Sequence, residues 1–289
     1  MKDIALLVGN GVNAMSQGIK WSELLDQIID FCKDSTIHKH ASKPFPLFYE
    51  EIFLNAIKRK RFAKETELKK FIGEKVSDIA GNDIHALIRK IAPAHIMTAN
   101  YEFLLEGQTP KKNDSIITEN TYSIFRRYNL DNISYWHVHG DCKSPQSINL
   151  GYDHYCGQLQ KIRNYVVAVP DYKSDQIEKK SLYMRMRTPK GIKQINSWVD
   201  LFFMKDIHII GLTLDFVEID LWWLITYRAR LLYYDKKINI RNKICYYIPK
   251  AYEADAGFKL DLLRANGVEV IVIDKKHGMD YYTAILNAL

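Results

Sequence analysis

The chain has 289 residues, of which 47% are hydrophobic, enough for a full core and too many for wholesale disorder. Its formal net charge of +7 favours anionic ligands in general, but the Lys and Arg residues are interspersed with Asp and Glu, so charge alone supports nucleic-acid binding only weakly. No apolar stretch has the length of a signal-peptide core or of a bilayer span, so we expect a cytoplasmic protein with no membrane contact.

The first strand is predicted at Ile4–Val8, an apolar run that stops at the tight turn Gly9-Asn10-Gly11. Apolar residues then recur at helical spacing in four segments: Trp21–Cys32, Leu47–Arg61, Glu65–Ile79 and His85–Lys90. These segments predict a helical cap, inserted after the first strand at about residues 21–93.

Strands and helices alternate through most of the remaining chain. The predicted strands are His95–Thr98, Ile133–His139, Asp206–Gly211, Lys243–Ile248 and Val268–Ile273. The predicted helices are Tyr152–Tyr165, Val217–Tyr233, Gly257–Asn266 and Asp280–Ala288. This alternation predicts an α/β fold, a single Rossmann-like domain over residues 1–289 with a six-stranded parallel sheet and helices on both faces.

Two segments fit the alternation less well. Ser115–Tyr128 is ambiguous between a short strand and a turn. Pro170–Lys193 is irregular and rich in Lys and Arg. We expect this second segment to be a basic excursion that faces a partner or a sibling subunit.

Four cysteines are scattered along the chain, and no two have the C-x-x-C spacing of a zinc ribbon or knuckle. They are Cys32, Cys142, Cys156 and Cys245. Isolated cysteines in a chain of this size are typical of reduced thiols in a cytosolic protein. We predict that no zinc is bound, and stoichiometric zinc in the purified protein by elemental analysis would contradict this.

The turn after the first strand is the first candidate binding site. Glycines at the end of a buried strand let the backbone approach a pyrophosphate closely. The candidate residues are Gly9, Asn10, Gly11 and Asn13. Because the turn is shorter than a full G-x-G-x-x-G motif, an ordinary turn explains it equally well.

A second candidate, Thr98-Ala99-Asn100, follows the second predicted strand. Open α/β sheets bind their ligands at the carboxyl edge, where this segment would lie. The amide of Asn100 can bind ribose hydroxyls or hold a water molecule there. Taken alone, however, Asn100 is explained better as the cap of a following helix.

Two histidines end the third predicted strand, and their spacing places them on the same face of it. His137 lies deeper in the sheet and is expected to be packed. His139 precedes Gly140, where the strand opens, and can act as a general base or orient a hydroxyl. A metal held by both histidines is less favoured, because no Cys or carboxylate cluster accompanies them at ligand spacing.

Later strands supply three further candidates. Gly211 lets a ligand lie against a strand end, and Thr213 can bond a phosphate or a ribose. Asp274, after the last predicted strand, can meet the adenine or a ribose. A capped helix and a turn would explain the same residues without a ligand.

Each candidate loop is a weak signal of a binding site on its own, but the loops share a position that makes the set a stronger signal. The loops at Gly9, Asn100, His139 and Gly211 all follow predicted strands. In a parallel sheet this brings all four to the same edge.

Taken in this order, the motifs resemble those of the sirtuin family. The resemblance is strongest to a divergent bacterial branch whose members hydrolyse NAD in anti-phage defence. The matching segments are Gly9-Asn10-Gly11-Val12-Asn13, Thr98-Ala99-Asn100-Tyr101, Val138-His139-Gly140 and Gly211-Leu212-Thr213, with Trp21-Ser22-Glu23-Leu24-Leu25 after the glycine turn. They span residues 1 to about 274 as short islands.

The resemblance implies an NAD hydrolase that cleaves the nicotinamide–ribose bond, with NAD as substrate and no zinc. Asn100 would hold the nicotinamide ribose and the attacking water, and His139 would bond a ribose hydroxyl or take a proton from it. Since unregulated NAD hydrolysis would harm the host, a regulated effector is implied. We expect a homo-oligomer, or a separately encoded ATPase or nucleic-acid-sensing partner.

The sequence also departs from the family. Protein-deacylating sirtuins carry Pro-Asp-Phe-Arg after the glycine loop, where this chain has Lys20-Trp21-Ser22, and they carry a four-cysteine zinc module. Glu102 stands where the divergent branch usually has Asp. The alternatives are a deacylase or ADP-ribosyltransferase on the same scaffold, a subunit that binds NAD or ADP-ribose without turnover, and, on charge alone, a nucleic-acid-binding subunit.

Two expectations follow about behaviour in solution. The aromatic residues Phe45, Phe48, Tyr49 and Phe53 make the predicted cap unusually apolar for a free surface, which predicts self-association unless they pack internally. Sedimentation that shows only monomer at micromolar concentration, with and without NAD, would contradict this. We further expect Asn100 and His139 to be needed for NAD cleavage but not for folding.

Overall fold

The computed structural model describes residues 2–34, 36–169, 172, 174, 176–188 and 191–289, except for the side chains of Trp21 and Ser22. Among these residues, seven strands form one sheet. The strands are Lys2–Val8 (β1), Pro93–Thr98 (β2), Tyr128–Leu130 (β3), Ile133–His137 (β4), Asp206–Ile210 (β5), Ile244–Pro249 (β6) and Glu269–Ile273 (β7).

Ten α-helices connect and cover these strands in the described part of the chain. The first five are Trp21–Phe31 (α1), Phe45–Lys58 (α2), Glu65–Ser77 (α3), Asp83–Ile91 (α4) and Tyr152–Val167 (α5). The others are Leu182–Met186 (α6), Trp198–Met204 (α7), Ile219–Tyr234 (α8), Gly257–Ala265 (α9) and Met279–Ala288 (α10).

The strand order confirms the predicted α/β, Rossmann-like sheet. The order is β3-β4-β2-β1-β5-β6-β7, and every pair is parallel except β3 with β4. When the antiparallel β3 is left out, the order is β4-β2-β1-β5-β6-β7. Counted along the chain from one to six, these parallel strands lie in the order 3-2-1-4-5-6, which is that of doubly wound nucleotide-binding sheets. The chain passes from β1 to β2 on one side and enters β5 on the other, so the switch point lies at β1.

Helices cover both faces of the sheet, as predicted. On one face α5, α7 and α8 bury residues such as Ile162, Trp198 and Leu221 against the strands. On the other face α4 and α10 pack together, with Ile88 and Ile285 in the same apolar cluster. These two cores hold the strand ends in fixed positions.

Three helices, α1 to α3, form the cap and have an apolar core of their own. That core contains Leu24, Ile28, Ile52 and Ile72. Helix α4 lies within the predicted insertion at about residues 21–93, and its apolar stripe packs in the sheet core and not in the core of the cap.

The ambiguous segment before β4 ends in a strand that the sequence analysis did not predict. β3 pairs antiparallel with β4 through a two-residue turn at Asp131 and Asn132, both with positive φ. Such turns favour Asn and Asp because their short polar side chains tolerate the left-handed region. Without an Asn-Gly or Asp-Gly pair, the turn signal in the sequence was weak.

Helix α7 was also missed, and burial explains why. Six of its seven residues are buried, including Asp200, whose carboxylate accepts hydrogen bonds from the Tyr165 hydroxyl at 2.8 and 2.9 Å. A helix covered on all sides lacks the alternation of apolar and polar faces by which helices are predicted.

The predicted basic excursion at 170–193 lies partly outside the described residues, at 170, 171, 173, 175, 189 and 190. Helix α6 within it packs on the protein, because Leu182 is buried and the Arg185 guanidinium lies 3.5 Å from the Asp200 carboxylate. A partner-facing role for this segment stays a prediction.

The aromatic residues that motivated self-association pack mainly inside the cap. Phe48 and Tyr49 are buried there, and Phe53 is partly buried against the same core. Self-association therefore stays a prediction without this support. None of the described helices has the length and apolarity needed to cross a membrane.

Candidate active site

A cleft of about 520 Å³ lies at the switch point, beyond the carboxyl ends of β1, β2 and β5. The sheet side of the cleft carries its polar groups, among them Asn100, His139 and Glu218. The cap contributes an apolar wall formed by Leu24, Phe45 and Val76, joined by Ile79 just after α3. A pocket of this size with a few convergent polar groups is typical of small-molecule sites.

The glycines after β1 allow two loops to pack against each other at the floor of the cleft. The Gly11 backbone N–H donates to the Gly211 carbonyl at 2.7 Å. A Cβ on Gly9 would lie 2.5 Å from the Leu212 Cα, and one on Gly11 would lie 2.7 Å from the Gly211 oxygen. Gly11 and Gly211 line the cleft, whereas Gly9 is not among the lining residues and serves this loop packing.

We predict that Gly9→Ala destabilises the fold. The added methyl group meets backbone rather than a flexible side chain, so the two loops must separate, at a cost of about 2 kcal/mol. Chemical denaturation would measure the loss. Gly257→Ala is the matched control, since a Cβ there would meet nothing within 4 Å beyond its chain neighbours and the backbone of its own helix, and no loss is expected.

Asn100 is held by its backbone and leaves its side chain to the cleft. Its N–H donates to the Thr98 Oγ1 at 3.0 Å, and its carbonyl lies 3.0 Å from the His137 Nδ1. The side-chain Nδ2 is buried and has no hydrogen-bond partner among the described residues. An unpartnered buried donor normally costs stability, and a ligand bound in the cleft would supply the missing acceptor.

His139 lies in the same cleft and is paired with an acidic residue from α8. Its Nε2 is 3.0 Å from the Asp220 Oδ2, with both side chains buried, and the Tyr155 ring packs at a steep angle against the imidazole. Burial lowers the pKa of His139, but the Asp220 carboxylate, supported by Glu218, outweighs it and raises the pKa overall. This pairing leaves Nδ1 as the ring nitrogen that can meet a ligand.

His137 faces a different environment from His139, contrary to the same-face expectation. Strand β4 ends at His137, and the chain turns at Gly140 with φ of 91°, so strand alternation does not continue through His139. Both His137 ring nitrogens face acceptors, the Asn100 carbonyl and the Glu106 carboxylate at 2.8 Å. His137 is therefore the packed histidine and fixes the backbone of Asn100.

Asn13 organises the floor of the cleft rather than presenting a free amide. Its Nδ2 donates to the Glu102 carboxylate at 2.8 Å and to the Asn10 side chain at 2.9 Å. Its Oδ1 lies 2.9 Å from the His85 Nε2. Burial, reinforced by Arg89, lowers the pKa of His85 to about 4, so this ring is neutral and donates from Nε2 to Asn13.

The other candidates from the sequence have varied positions. Asn10 and Thr213 line the cleft and are exposed. Thr98 is buried, and its hydroxyl donates to the Val8 carbonyl at 3.0 Å, which ties β2 to β1. Asp274 is not among the lining residues; its exposed carboxylate lies 3.6 Å from the Lys250 ammonium.

Two acidic residues of the site were not assigned a role from the sequence. Asp220 holds His139, and Glu218 lines the cleft at the N-terminus of α8. Burial raises the pKa of Glu218 to about 7, partly offset by His139 and reinforced by Asp220 and Asp215. The available signal was the acidic run after Gly211, with Asp215, Glu218 and Asp220 in six residues.

The raised pKa of Glu218 predicts a pH-dependent stability difference. Between about pH 4.5 and pH 7 the folded protein keeps the Glu218 proton, whereas the unfolded chain has lost it. Because the folded state binds the extra proton, the free energy of unfolding falls as the pH rises through this window. Glu218→Gln cannot ionise, and its stability relative to wild type should rise by about 2 kcal/mol from pH 5 to pH 8. Denaturant titrations at both pH values would measure this.

The exposed carboxylate of Asp215, on the same loop, provides the control. Asp215→Asn keeps Glu218 ionisable and should retain most of the wild-type pH dependence, reduced only by the loss of the Asp215 charge that contributes to the raised pKa of Glu218. Equal pH dependence for Glu218→Gln and wild type would contradict the assignment.

No group of three or more His, Cys, Asp or Glu side chains able to hold a metal occurs in the described part of the chain. The four cysteines are all unpaired, and Cys32 and Cys245 are buried. The absence of bound zinc stays a prediction.

Comparison of the chain with protein-family models and with curated proteins gives no match. Function must therefore be argued from the chemistry of the cleft, since the fold alone is shared by proteins of many activities.

Proposed function

We propose that the chain hydrolyses NAD in this cleft, cleaving the nicotinamide–ribose bond to give nicotinamide and ADP-ribose. The observation that carries the proposal is the buried Nδ2 of Asn100, without a partner among the described residues and in the same cleft as His139. Support also comes from the position of the cleft at the switch point of a sheet with dinucleotide-binding strand order.

In this proposal the two side chains position the reacting ribose. The Asn100 amide donates to a ribose hydroxyl or to the attacking water, and its backbone contacts to Thr98 and His137 keep it in place. The His139 Nδ1 bonds a second ribose hydroxyl, while Asp220 fixes the ring from the opposite side. Holding the ribose in one geometry lowers the entropic cost of reaching the transition state.

The charges around the cleft are compatible with this reaction. Cleavage passes through an oxocarbenium-like state with positive charge on the ribose, and carboxylates favour such a charge. Three carboxylic side chains line the cleft, namely Glu102, Asp215 and Glu218. Lys20 is the one Lys or Arg among the described lining residues, and its ammonium donates to the Ser16 carbonyl at 2.7 Å.

The biological role we propose rests on the resemblance to the divergent sirtuin branch. By this resemblance, the chain would be a cytoplasmic, regulated effector of anti-phage defence. It would use NAD as a substrate and would need no zinc. Its activity would be controlled by assembly of a homo-oligomer or by a separately encoded ATPase or nucleic-acid sensor.

The test is to incubate purified protein with NAD and to resolve nicotinamide, ADP-ribose and cyclic ADP-ribose by chromatography. Stoichiometric nicotinamide and ADP-ribose are expected, with none from the Asn100→Ala variant at matched concentration. Binding of NAD without release of nicotinamide would support a binding subunit instead. The absence of both binding and turnover would overturn the proposal.

A further inference from the structure

One partly buried carboxylate in the cleft has no structural partner in the described part of the chain. Glu102 accepts a hydrogen bond from Asn13, and Asp215 is exposed at the rim. Glu218 is half-buried, and its carboxylate makes no hydrogen bond or ion pair with the described residues. Although it occupies the N-cap position of α8, it does not cap the helix.

Glu218 is close to the group that the proposed reaction uses. It precedes Asp220 by two residues, and the Asp220 carboxylate is 3.0 Å from the His139 Nε2. Its charge contributes to the raised pKa of His139. The start of α8 therefore brings two carboxylates to His139, of which one is engaged and the other faces the cleft.

His139 itself is poorly suited to accept a proton from water. Asp220 engages one ring nitrogen and favours the imidazolium, which is a donor at both nitrogens. An attacking water needs an acceptor within the cleft. A half-buried carboxylate that ionises near neutral pH meets this need, because a general base works best when its pKa is near the working pH.

We infer that Glu218 is the general base that activates the attacking water. In this step, which rests on the proposed function, the water oxygen bonds to C1′ of the nicotinamide ribose as the C1′–N bond breaks. The bonding electrons go to the ring nitrogen, and nicotinamide leaves uncharged. The water proton passes to the Glu218 carboxylate and then to solvent, so the overall products are nicotinamide, ADP-ribose and one proton.

Several titratable groups surround Glu218 and contribute to its environment. They are His139, Asp220, Asp215, Tyr101, Tyr155 and Tyr246. Burial raises the pKa values of all three tyrosines, which stay protonated at neutral pH. Glu218 and His139 are thus the groups whose titration must be separated by experiment.

The pH dependence of kcat/KM provides the first test. Wild type should lose activity as the pH falls through about 7, because protonated Glu218 cannot accept a proton. Glu218→Gln should be slower by about 10²–10⁴-fold above pH 7 and should lack this acidic limb. Asp215→Asn, which removes a nearby carboxylate at the rim but leaves Glu218 able to ionise, should keep the limb and displace it toward lower pH, because Asp215 contributes to the raised pKa of Glu218.

Chemical rescue separates a base from a structural residue. Azide is an anionic nucleophile that needs no deprotonation, so it should restore nicotinamide release to Glu218→Ala and form 1-azido-ADP-ribose, detectable by mass spectrometry. Asp215→Ala should form none beyond the wild-type level. A Glu218→Ala variant that equals wild type, or that stays inactive with azide, would overturn the inference.

Calorimetric titration with ADP-ribose separates a failure of the proposed NAD hydrolysis from a failure of the proposed role of Glu218. Wild type that binds ADP-ribose but releases no nicotinamide would overturn the proposed hydrolysis and this step together. Active wild type beside an unimpaired Glu218→Gln would overturn the role of Glu218 alone. The expected result is unchanged ADP-ribose affinity in Glu218→Gln with impaired turnover.

Discussion

Asn100→Ala is expected to lower nicotinamide release by about 10²-fold or more while the melting temperature stays close to that of wild type. The substitution removes the amide that would position the ribose or the water. It leaves intact the backbone contacts to Thr98 and His137, and it removes a buried donor that has no partner among the described residues. Chromatography of nicotinamide and a thermal melt measure the two effects.

His139→Ala should lose activity to a similar degree but should not leave stability unchanged. The sequence alone predicted no effect on folding for either residue. His139 is paired with buried Asp220, so the truncation leaves a carboxylate uncompensated in the core. His139→Gln, which can still donate to Asp220, should recover part of the stability and none of the activity.

A full loss of activity in His139→Gln with a near-wild-type melt would support a chemical role for the imidazole. Fully active Asn100→Ala and His139→Gln variants would end the hydrolase hypothesis in this form.

The second large effect is expected from His137→Ala, which should destabilise the fold by about 3–5 kcal/mol. His137 and Glu106 are completely buried and 2.8 Å apart, so removing the imidazole leaves an unpaired carboxylate in the interior. Rings of Phe103 and Tyr128 pack around His137 and would lose their contacts. Denaturant unfolding measures the loss.

A double-mutant cycle tests whether the ion pair is the cause. His137→Ala combined with Glu106→Ala should destabilise less than the sum of the single changes, because no charge is left unpaired. Strict additivity would indicate that lost packing accounts for the effect. Activity per folded His137→Ala molecule should fall less than in Asn100→Ala, since the amide itself remains.

The sequence predicts the features that depend on local pattern. The apolar run of β1 and its glycine turn are a short-range signal, and the structure has that strand at Lys2–Val8. The parallel pairing of the sheet follows from strand–helix alternation because parallel strands need crossover connections, whereas the order of the strands is seen only in the structure. Helix α7 escaped prediction because its surroundings, and not its sequence pattern, determine which faces are buried.

The candidate site could be predicted only in part, for a related reason. Asn100 and His139 were identified because each follows a predicted strand. Asp220 lies 81 residues from His139, and nothing local indicates that the two meet. The role inferred for Glu218 depends on partial burial at the start of α8, which a sequence pattern does not report.

The separate core of the cap has an evolutionary consequence. The apolar wall of the cleft belongs to the cap and its flanking loop, whereas Asn100, His139 and Glu218 belong to the sheet side. Substitutions inside the cap can reshape what the cleft admits while the reacting groups keep their geometry. In the proposed hydrolase, selectivity and turnover would thus depend on different segments of the chain, so the cap could change in sequence while the proposed reacting groups stay the same.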